Sequence, residues 1–210
     1  MLTHAWNSAP LPGFIVFEGL DGAGTTTQAR RLVAWMRENG IPAEFTCEPT
    51  DLPTGRLIRD LLADAGPVEP WTLALLFAAD RHEHLVRPES GIRDRLAAGV
   101  SVVSDRYLFS SLAYQGAYAD SAAVEHLNVD FPLPEVLVFV DTPRDEADRR
   151  MRSRSARDRL EQAEVQLRVE ERYRGIVAAF AAHSATRVVS VDGSRAADAV
   201  FADILAGLER

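Results

Sequence analysis

The chain has 210 residues, 47% hydrophobic and 26% charged, which suits one globular domain large enough to bury its own core. A formal net charge of −8 excludes a general binder of nucleic acid or membrane surfaces, since there is no overall basic field to attract them. The single cysteine, Cys47, excludes an intrachain disulfide, has no His or Cys companion in the pattern, and fits a reducing, cytoplasmic compartment.

Taken in order, residues 1–13 read as an irregular arm through Pro10, Pro12 and Gly13, with no signal-peptide pattern; Trp6 either pins this arm or leaves it frayed. Phe14–Glu18 is expected to be a buried strand and Thr26–Asn39 an amphipathic helix stopped by Gly40. A short strand near Ala43–Thr46 precedes helices at Thr54–Ala65, Pro70–Leu85 and Glu89–Ala98. Val100–Ser104 and Val136–Asp141 read as buried strands on either side of a helical Leu108–Tyr118. An arginine-rich helical stretch, Arg144–His183, carries a predicted break around Ser153–Asp158, before a last strand, Val188–Val191, and a last helix, Arg195–Leu208. No apolar run approaches the ~20 residues that span a bilayer. The alternation predicts an α/β chain, a parallel sheet with helices on both faces, as one unit over residues 14–210. Its site belongs at the carboxyl ends of the strands, where the glycine-rich turn, Asp105-Arg106-Tyr107 and Asp192-Gly193-Ser194 converge.

The glycine-rich turn is the first of these. Gly19-Leu20-Asp21-Gly22-Ala23-Gly24-Thr25-Thr26 follows the phosphate-binding P-loop pattern G-x-x-x-x-G-K-[ST], with Thr25 where the lysine belongs. Three glycines let backbone N–H groups curl around an anion, the next helix adds its positive end, and Thr26 and Thr27 offer hydroxyls to phosphate oxygen and Mg²⁺. All 23 basic residues are arginine, so no lysine of this chain fills the gap at Thr25. The cation must be an arginine, a metal ion or a partner's group.

The turn, Glu48-Pro49-Thr50, Leu76-Phe77-Ala78-Ala79-Asp80-Arg81, the block from Asp105-Arg106-Tyr107 through Ser110-Ser111 to Tyr114-Gln115-Gly116, and Arg157-Asp158-Arg159 together resemble the thymidylate kinase family. The resemblance implies a P-loop kinase fold with a five-stranded parallel sheet and an Arg-rich lid at about residues 149–160. It also implies transfer of a phosphoryl group from ATP to dTMP, giving ADP and dTDP for dTTP supply, with Mg²⁺ as cofactor and a homodimer as the assembly. Residue by residue, it implies that Gly19 and Asp21 to Thr27 cradle ATP, with Asp192 and Gly193 at the adenine. Thr26 would ligate Mg²⁺, and Asp105, which a bland reading makes a helix cap, would hold waters of the metal shell. Arg106 would bridge the two phosphates, and Asp21 would reach the acceptor 3′-hydroxyl. Phe77 would stack on the base and Arg81 bond its carbonyl edge, four residues on and on the same helix face. Ser110, Ser111 and Gln115 would address other base edges, Tyr114 the deoxyribose and Arg59 the acceptor phosphate, with Glu48 in the same acceptor set. Glu18 either faces the metal region or makes a structural hydrogen bond.

The lid, with Arg154 and Arg157 foremost, would close arginines over the phosphates and exclude water. Gly22 and Ala23 leave no arginine inside the P-loop, which places the chain with the lid-arginine members of the family. Cys47 departs from the arginine common before Glu-Pro, and Thr25 from the P-loop lysine. Three functional readings stand at this point: a dTMP kinase, a kinase for a modified deoxypyrimidine monophosphate, and a non-catalytic nucleotide-binding subunit.

Overall fold

The structure is a computed structural model describing residues 6, 8–64, 68–151 and 156–209, with the side chains of residues 64 and 156–166 outside that description. Side chains of the first strand, β1 (Leu11–Glu18), alternate between two apolar layers, Phe14 and Val16 in one, Ile15 and Phe17 in the other. This two-residue alternation is the period of a strand covered on both faces. After β1 come α1 (Thr25–Glu38), β2 (Ala43–Cys47), α2 (Pro53–Asp64), α3 (Pro70–Val86), α4 (Ile92–Ala97) and β3 (Ser101–Asp105). Then α5 (Leu108–Ser110), a π-helical turn at Ser111–Gln115, α6 (Gly116–Tyr118), α7 (Ser121–Asn128) and β4 (Pro134–Asp141) follow. The chain closes with α8 (Arg144–Arg150), α9 (Ala156–His183), β5 (Arg187–Asp192) and α10 (Ala197–Leu208).

The strands form one parallel five-stranded sheet in the order β2-β3-β1-β4-β5, as the sequence predicts. Ala29, Leu32 and Met36 of α1 and Val200 and Ile204 of α10 fill one layer. Leu85 of α3, Ile92 of α4, Val124 of α7 and Tyr173, Ile176 and Phe180 of α9 fill the other. The register sets Asp105 beside both Phe17 and Cys47, so β1, β2 and β3 end at one level with their loops facing one crevice.

Several boundaries differ from the sequence reading. β1 starts at Leu11, because Leu11 N–H donates to Leu133 O at 2.9 Å and Gly13 N–H to a Glu135 carboxylate oxygen at 2.6 Å. Trp6 is buried with its ring 5.1 Å from that of Phe180, so it pins the arm. α4 starts only at Ile92, since Glu89 takes a left-handed φ of 65° that no helix accommodates. α7 is an additional helix, started by Asp120, whose carboxylate accepts from Ala122 N–H at 3.0 Å. The Arg144–His183 stretch divides, as expected from the sequence, with α8 ending at Arg150 and α9 starting at Ala156.

Candidate active site

Gly24 ends the P-loop at φ +93°, a left-handed value that glycine adopts without Cβ strain, and directly caps α1. No side chain caps α1 and no acidic residue occupies its first turn, so the N–H groups of Thr25–Thr27 are left for an anion. Gly22 is equally constrained, since its φ is +84° and a Cβ would collide with Ala147 O of α8. Thr26 and Thr27 are exposed while Thr25 is buried, 5% exposed, so the residue in the lysine position points into the fold rather than over the loop.

Asp105 ends β3 with one carboxylate oxygen, Oδ2, accepting from the Thr26 hydroxyl; the other, Oδ1, is buried without a partner among the described residues. A buried acceptor left unpaired beside a P-loop hydroxyl fits a hydrated divalent cation. Among the described residues no group of three or more His, Cys, Asp or Glu could hold a metal alone. Mg²⁺ asks for less, since it keeps several waters and takes one or two protein groups plus substrate phosphates.

Arg106 follows in a left-handed conformation, φ 74°, a cost of about 1–3 kcal/mol for a residue with a Cβ. The surroundings impose it. Its N–H donates to Phe17 O at 2.9 Å and its carbonyl accepts from Ser104 Oγ at 2.8 Å. Its Nη1 donates to Gly19 O at 3.2 Å, Ser110 Oγ at 3.1 Å and Tyr173 OH at 3.2 Å, and its Nη2 to Asp21 Oδ1 at 2.6 Å. Desolvation pulls the guanidinium pKa down, but the neighbouring groups, Asp21 and Glu18 among them, more than offset it, so Arg106 stays a cation.

Glu18 lies under this cation, fully buried. Its Oε1 accepts from the N–H groups of Tyr107 at 2.8 Å and Ser110 at 3.2 Å, and its Oε2 from Ser110 Oγ at 2.7 Å and Tyr173 OH at 3.0 Å. Burial pushes the carboxyl up to about 7 against the pull of Arg106 and these donors. Of the two roles open in the sequence, these bonds describe the structural one.

Beside Arg106 opens a cavity of about 260 Å³ lined by Asp21, Glu48, Phe77, Arg81, Tyr114 and Gln115, with Ser110 on its wall. Phe77 is half-buried and belongs to neither apolar layer, so its ring is available to the cavity. Arg81 is 1% exposed and engaged on all three nitrogens: Nε with Glu48 at 3.0 Å, Nη1 with Asn128 Oδ1 at 2.6 Å and Nη2 with Ser111 Oγ at 3.1 Å. Tyr114 OH accepts from Asp21 N–H at 3.2 Å, and burial pushes the phenol up to about 12, so it stays neutral. A second cavity of about 460 Å³ lies across the P-loop, bounded by Ala23, Gly24, Thr27, Arg149, Arg150 and Gly193.

Not every predicted residue reaches these cavities. Arg59 donates to the carbonyls of Thr50 at 2.6 Å and Pro49 at 2.5 Å and pairs with Asp51 at 3.1 Å, so it braces the loop after the cis Glu48-Pro49 bond. Ser111 is buried behind Arg81. The Asp192 carboxylate accepts from Ser194 N–H at 2.9 Å and Oγ at 2.6 Å, shaping a turn, while Gly193 lines the second cavity. Arg154 and the side chain of Arg157 lie outside the described residues.

Sequence reasoning missed others. Arg150 donates from Nη1 to Ala23 O at 3.3 Å and from Nη2 to Gly193 O at 2.9 Å, which sets a guanidinium beside the lysine-free loop. It stood in the noted arginine run, without a spacing that set it apart. Asp80 accepts from Thr50 N–H at 2.8 Å and Oγ1 at 2.6 Å, and lay unremarked within the motif that contains Phe77 and Arg81. Tyr173, Asn128 and His84 had no local signal.

A P-loop at the end of the central strand, an acidic residue on its Thr hydroxyl, a braced arginine and paired cavities define a P-loop kinase of small phosphorylated substrates. Comparison with known proteins narrows this class. The thymidylate kinase family model matches residues 17–204. A putative thymidylate kinase from Treponema pallidum is 48% identical over 63% of this chain and 63% of its own length. A probable thymidylate kinase from Thermococcus kodakarensis is 41% identical over 76% of this chain and 82% of its own. The crystal structure of thymidylate kinase from Ehrlichia chaffeensis superposes with a TM-score of 0.72 at 27% identity, covering 94% of this chain and 98% of that one. The chain belongs to the thymidylate kinase family, whose reaction is the ATP-dependent phosphorylation of dTMP. A modified acceptor base and a non-catalytic role find no support among these relatives.

Proposed function

We propose that this chain transfers the γ-phosphoryl group of ATP to the 5′-phosphate of dTMP within one kinase domain spanning residues 14–210. The observation that carries the reading is the position of Arg106, between the cavity of Phe77, Arg81 and Tyr114 and the P-loop. One guanidinium there touches both halves of the crevice, which is what a transfer between two phosphates requires.

In this reading the N–H groups of Asp21–Thr27 hold the donor phosphates, with Arg150 and Gly193 on the adenosine side. Phe77 stacks on thymine, Arg81 and Gln115 address its edges, and Tyr114 crowds the 2′ position of the sugar so that deoxyribose is preferred. Asp21, Glu48, Ser110 and, at one remove, Ser111 and Arg59 keep the acceptor side in shape. Thr26 and Asp105 would hold Mg²⁺, the latter through water, and the ion would neutralise charge on the donor phosphates. Arg106 stabilises the charge that develops on the transferred group, and a lid over about residues 149–160, with Arg154 and Arg157, excludes water. The proposal places the protein in the cytoplasm, consistent with its free Cys47, and as a homodimer. Exposed Leu75 on α3 and Tyr118 on α6 are apolar side chains that a dimer seam would cover.

A coupled ADP-release assay over a panel of nucleoside monophosphates tests the reading. dTMP is expected to give the highest kcat/KM with Mg·ATP, and a clear preference for another base, or no ADP release with any acceptor, would sink it.

A further inference from the structure

Behind the acceptor cavity, Arg81 and Glu48 continue into His84 and Thr46, two side chains to which the reaction gives no role. Glu48 is 4% exposed and both its oxygens are occupied: Oε2 accepts from Arg81 Nε at 3.0 Å and Nη2 at 2.9 Å, while Oε1 faces His84 Nδ1 at 3.1 Å. On the other side of the imidazole, Nε2 lies 2.6 Å from the Thr46 hydroxyl of β2. We propose that His84 is a positioning residue for the acceptor base: acting through Glu48, it holds the Arg81 guanidinium at the base edge and thereby sets dTMP affinity and the choice of thymine over cytosine. This rests on the dTMP kinase reading.

The chemistry of the chain selects one arrangement. An ionised Glu48, paired with Arg81, can only accept, so the proton on its Oε1 side must belong to His84 Nδ1. The Thr46 hydroxyl can donate to a bare Nε2 or accept from Nε2–H, so in either form the 2.6 Å contact fixes the ring from behind. Thr46 is fixed in register opposite Ser104, one residue before Asp105, so the imidazole is anchored to the strand end that carries the phosphate site. Asn128 and Ser111 hold the far nitrogens of Arg81, and the rings of Tyr107 and Phe131 lie 5.3 Å and 5.4 Å from its guanidinium carbon. Glu48 is the only anion among these Arg81 partners, and His84 is the group that fixes its rotamer from behind.

The base-edge consequence is specific. A guanidinium hydrogen bonds to the 4-carbonyl of thymine and meets a 4-amino donor on cytosine, so a loosened Arg81 costs dTMP more than dCMP. Loss of a hydrogen bond to a charged group corresponds to roughly 10- to 100-fold in affinity.

His84→Asn and His84→Gln separate the two nitrogens, since an Asn amide can occupy the Nδ1 position against Glu48 and a Gln amide the Nε2 position towards Thr46. Steady-state kinetics on the full chain should show His84→Gln raising the dTMP KM by about 10- to 100-fold and narrowing the dTMP to dCMP ratio. Its ATP KM should hold, and His84→Asn should recover most of the loss. Thr46→Val, nearly isosteric, should shift the same ratio in the same direction by less, and it carries the test if a His84 variant fails to fold. Equal effects of Asn and Gln, an unchanged dTMP to dCMP ratio, or a parallel fall with both substrates would overturn the assignment. A wild-type chain with no preference for dTMP would instead overturn the functional reading beneath it.

Discussion

Arg106 Nη2 donates to Asp21 Oδ1 at 2.6 Å, joining the loop after β3 to the P-loop through an ion pair whose arginine side chain is 19% exposed. The pair lies between the P-loop and the cavity of Phe77, Arg81 and Tyr114. An ammonium lacks the planar fork that reaches Gly19 O, Ser110, Tyr173 and Asp21 together. Arg106→Lys and Arg106→Ala are therefore expected to lower kcat by about 10³-fold or more, the scale of a lost transition-state arginine. Coupled kinetics check this, and a change confined to KM would contradict it.

The Thr25 side chain is buried beneath the loop, and its Cγ2 faces Gly19 closely. A lysine placed there must leave that niche to reach the mouth of the loop, beside which Arg150 already lies. Thr25→Lys is expected to change kcat by less than about tenfold, equivalent to about 1.4 kcal/mol of barrier, whereas removing Arg154 and Arg157 together is expected to be severe. A gain of several orders of magnitude in the Thr25→Lys enzyme would show the natural site to be impaired.

Arg150 bridges Ala23 O and Gly193 O at the wall of the second cavity while Glu146 holds its Nε at 2.7 Å. Arg150→Ala is expected to raise the ATP KM about 10-fold, in line with one charge-assisted contact, and to leave the dTMP KM unchanged. Initial rates with each substrate varied in turn decide it.

Asp105 has one oxygen on Thr26 and one buried oxygen without a partner among the described residues. Asp105→Asn is expected to raise the Mg²⁺ concentration for half-maximal rate by about 10- to 100-fold, the usual cost of losing an outer partner of a metal. A Mg²⁺ titration at constant ATP provides the check.

Glu18 titrates at about 7 in the fold against 4.5 unperturbed, so the native state holds its proton more tightly than the unfolded chain. Its contribution to stability is complete below pH 4.5, shrinks as pH rises from there, and is lost above about 7, a swing on the order of 3 kcal/mol. Glu18→Gln removes the titration yet keeps the network, because the hydroxyls of Ser110 and Tyr173 can turn to accept from the amide. Denaturant unfolding at pH 5 and pH 8.5 should show the variant gaining on the wild type at the higher pH, and equal gaps at both would refute the shift.

The sequence by itself determined the parts whose physics is local. The apolar run at Phe14–Phe17, the glycines that bend after it and the uncapped helix that follows specify a strand, an anion loop and α1 without outside help. Phe77 and Arg81 sit four apart on α3 and reach one cavity for the same reason. Tertiary structure alone decided which polar groups meet across long separations. Glu18 is bound by Tyr173, 155 residues away, and Arg150 reaches Ala23 O across 127 residues. The π-helical turn at Ser111–Gln115 has the same origin: Arg172 of α9 donates to Leu112 O at 3.1 Å and 3.0 Å, supplying from another helix a partner for that carbonyl. Arg59, legible as a phosphate ligand, turned to the Pro49 and Thr50 carbonyls because buried backbone acceptors must be paired by whichever donor the fold brings near. Local pattern places backbone and faces; partner choice for a charged side chain depends on groups that only folding brings within 3 Å or so.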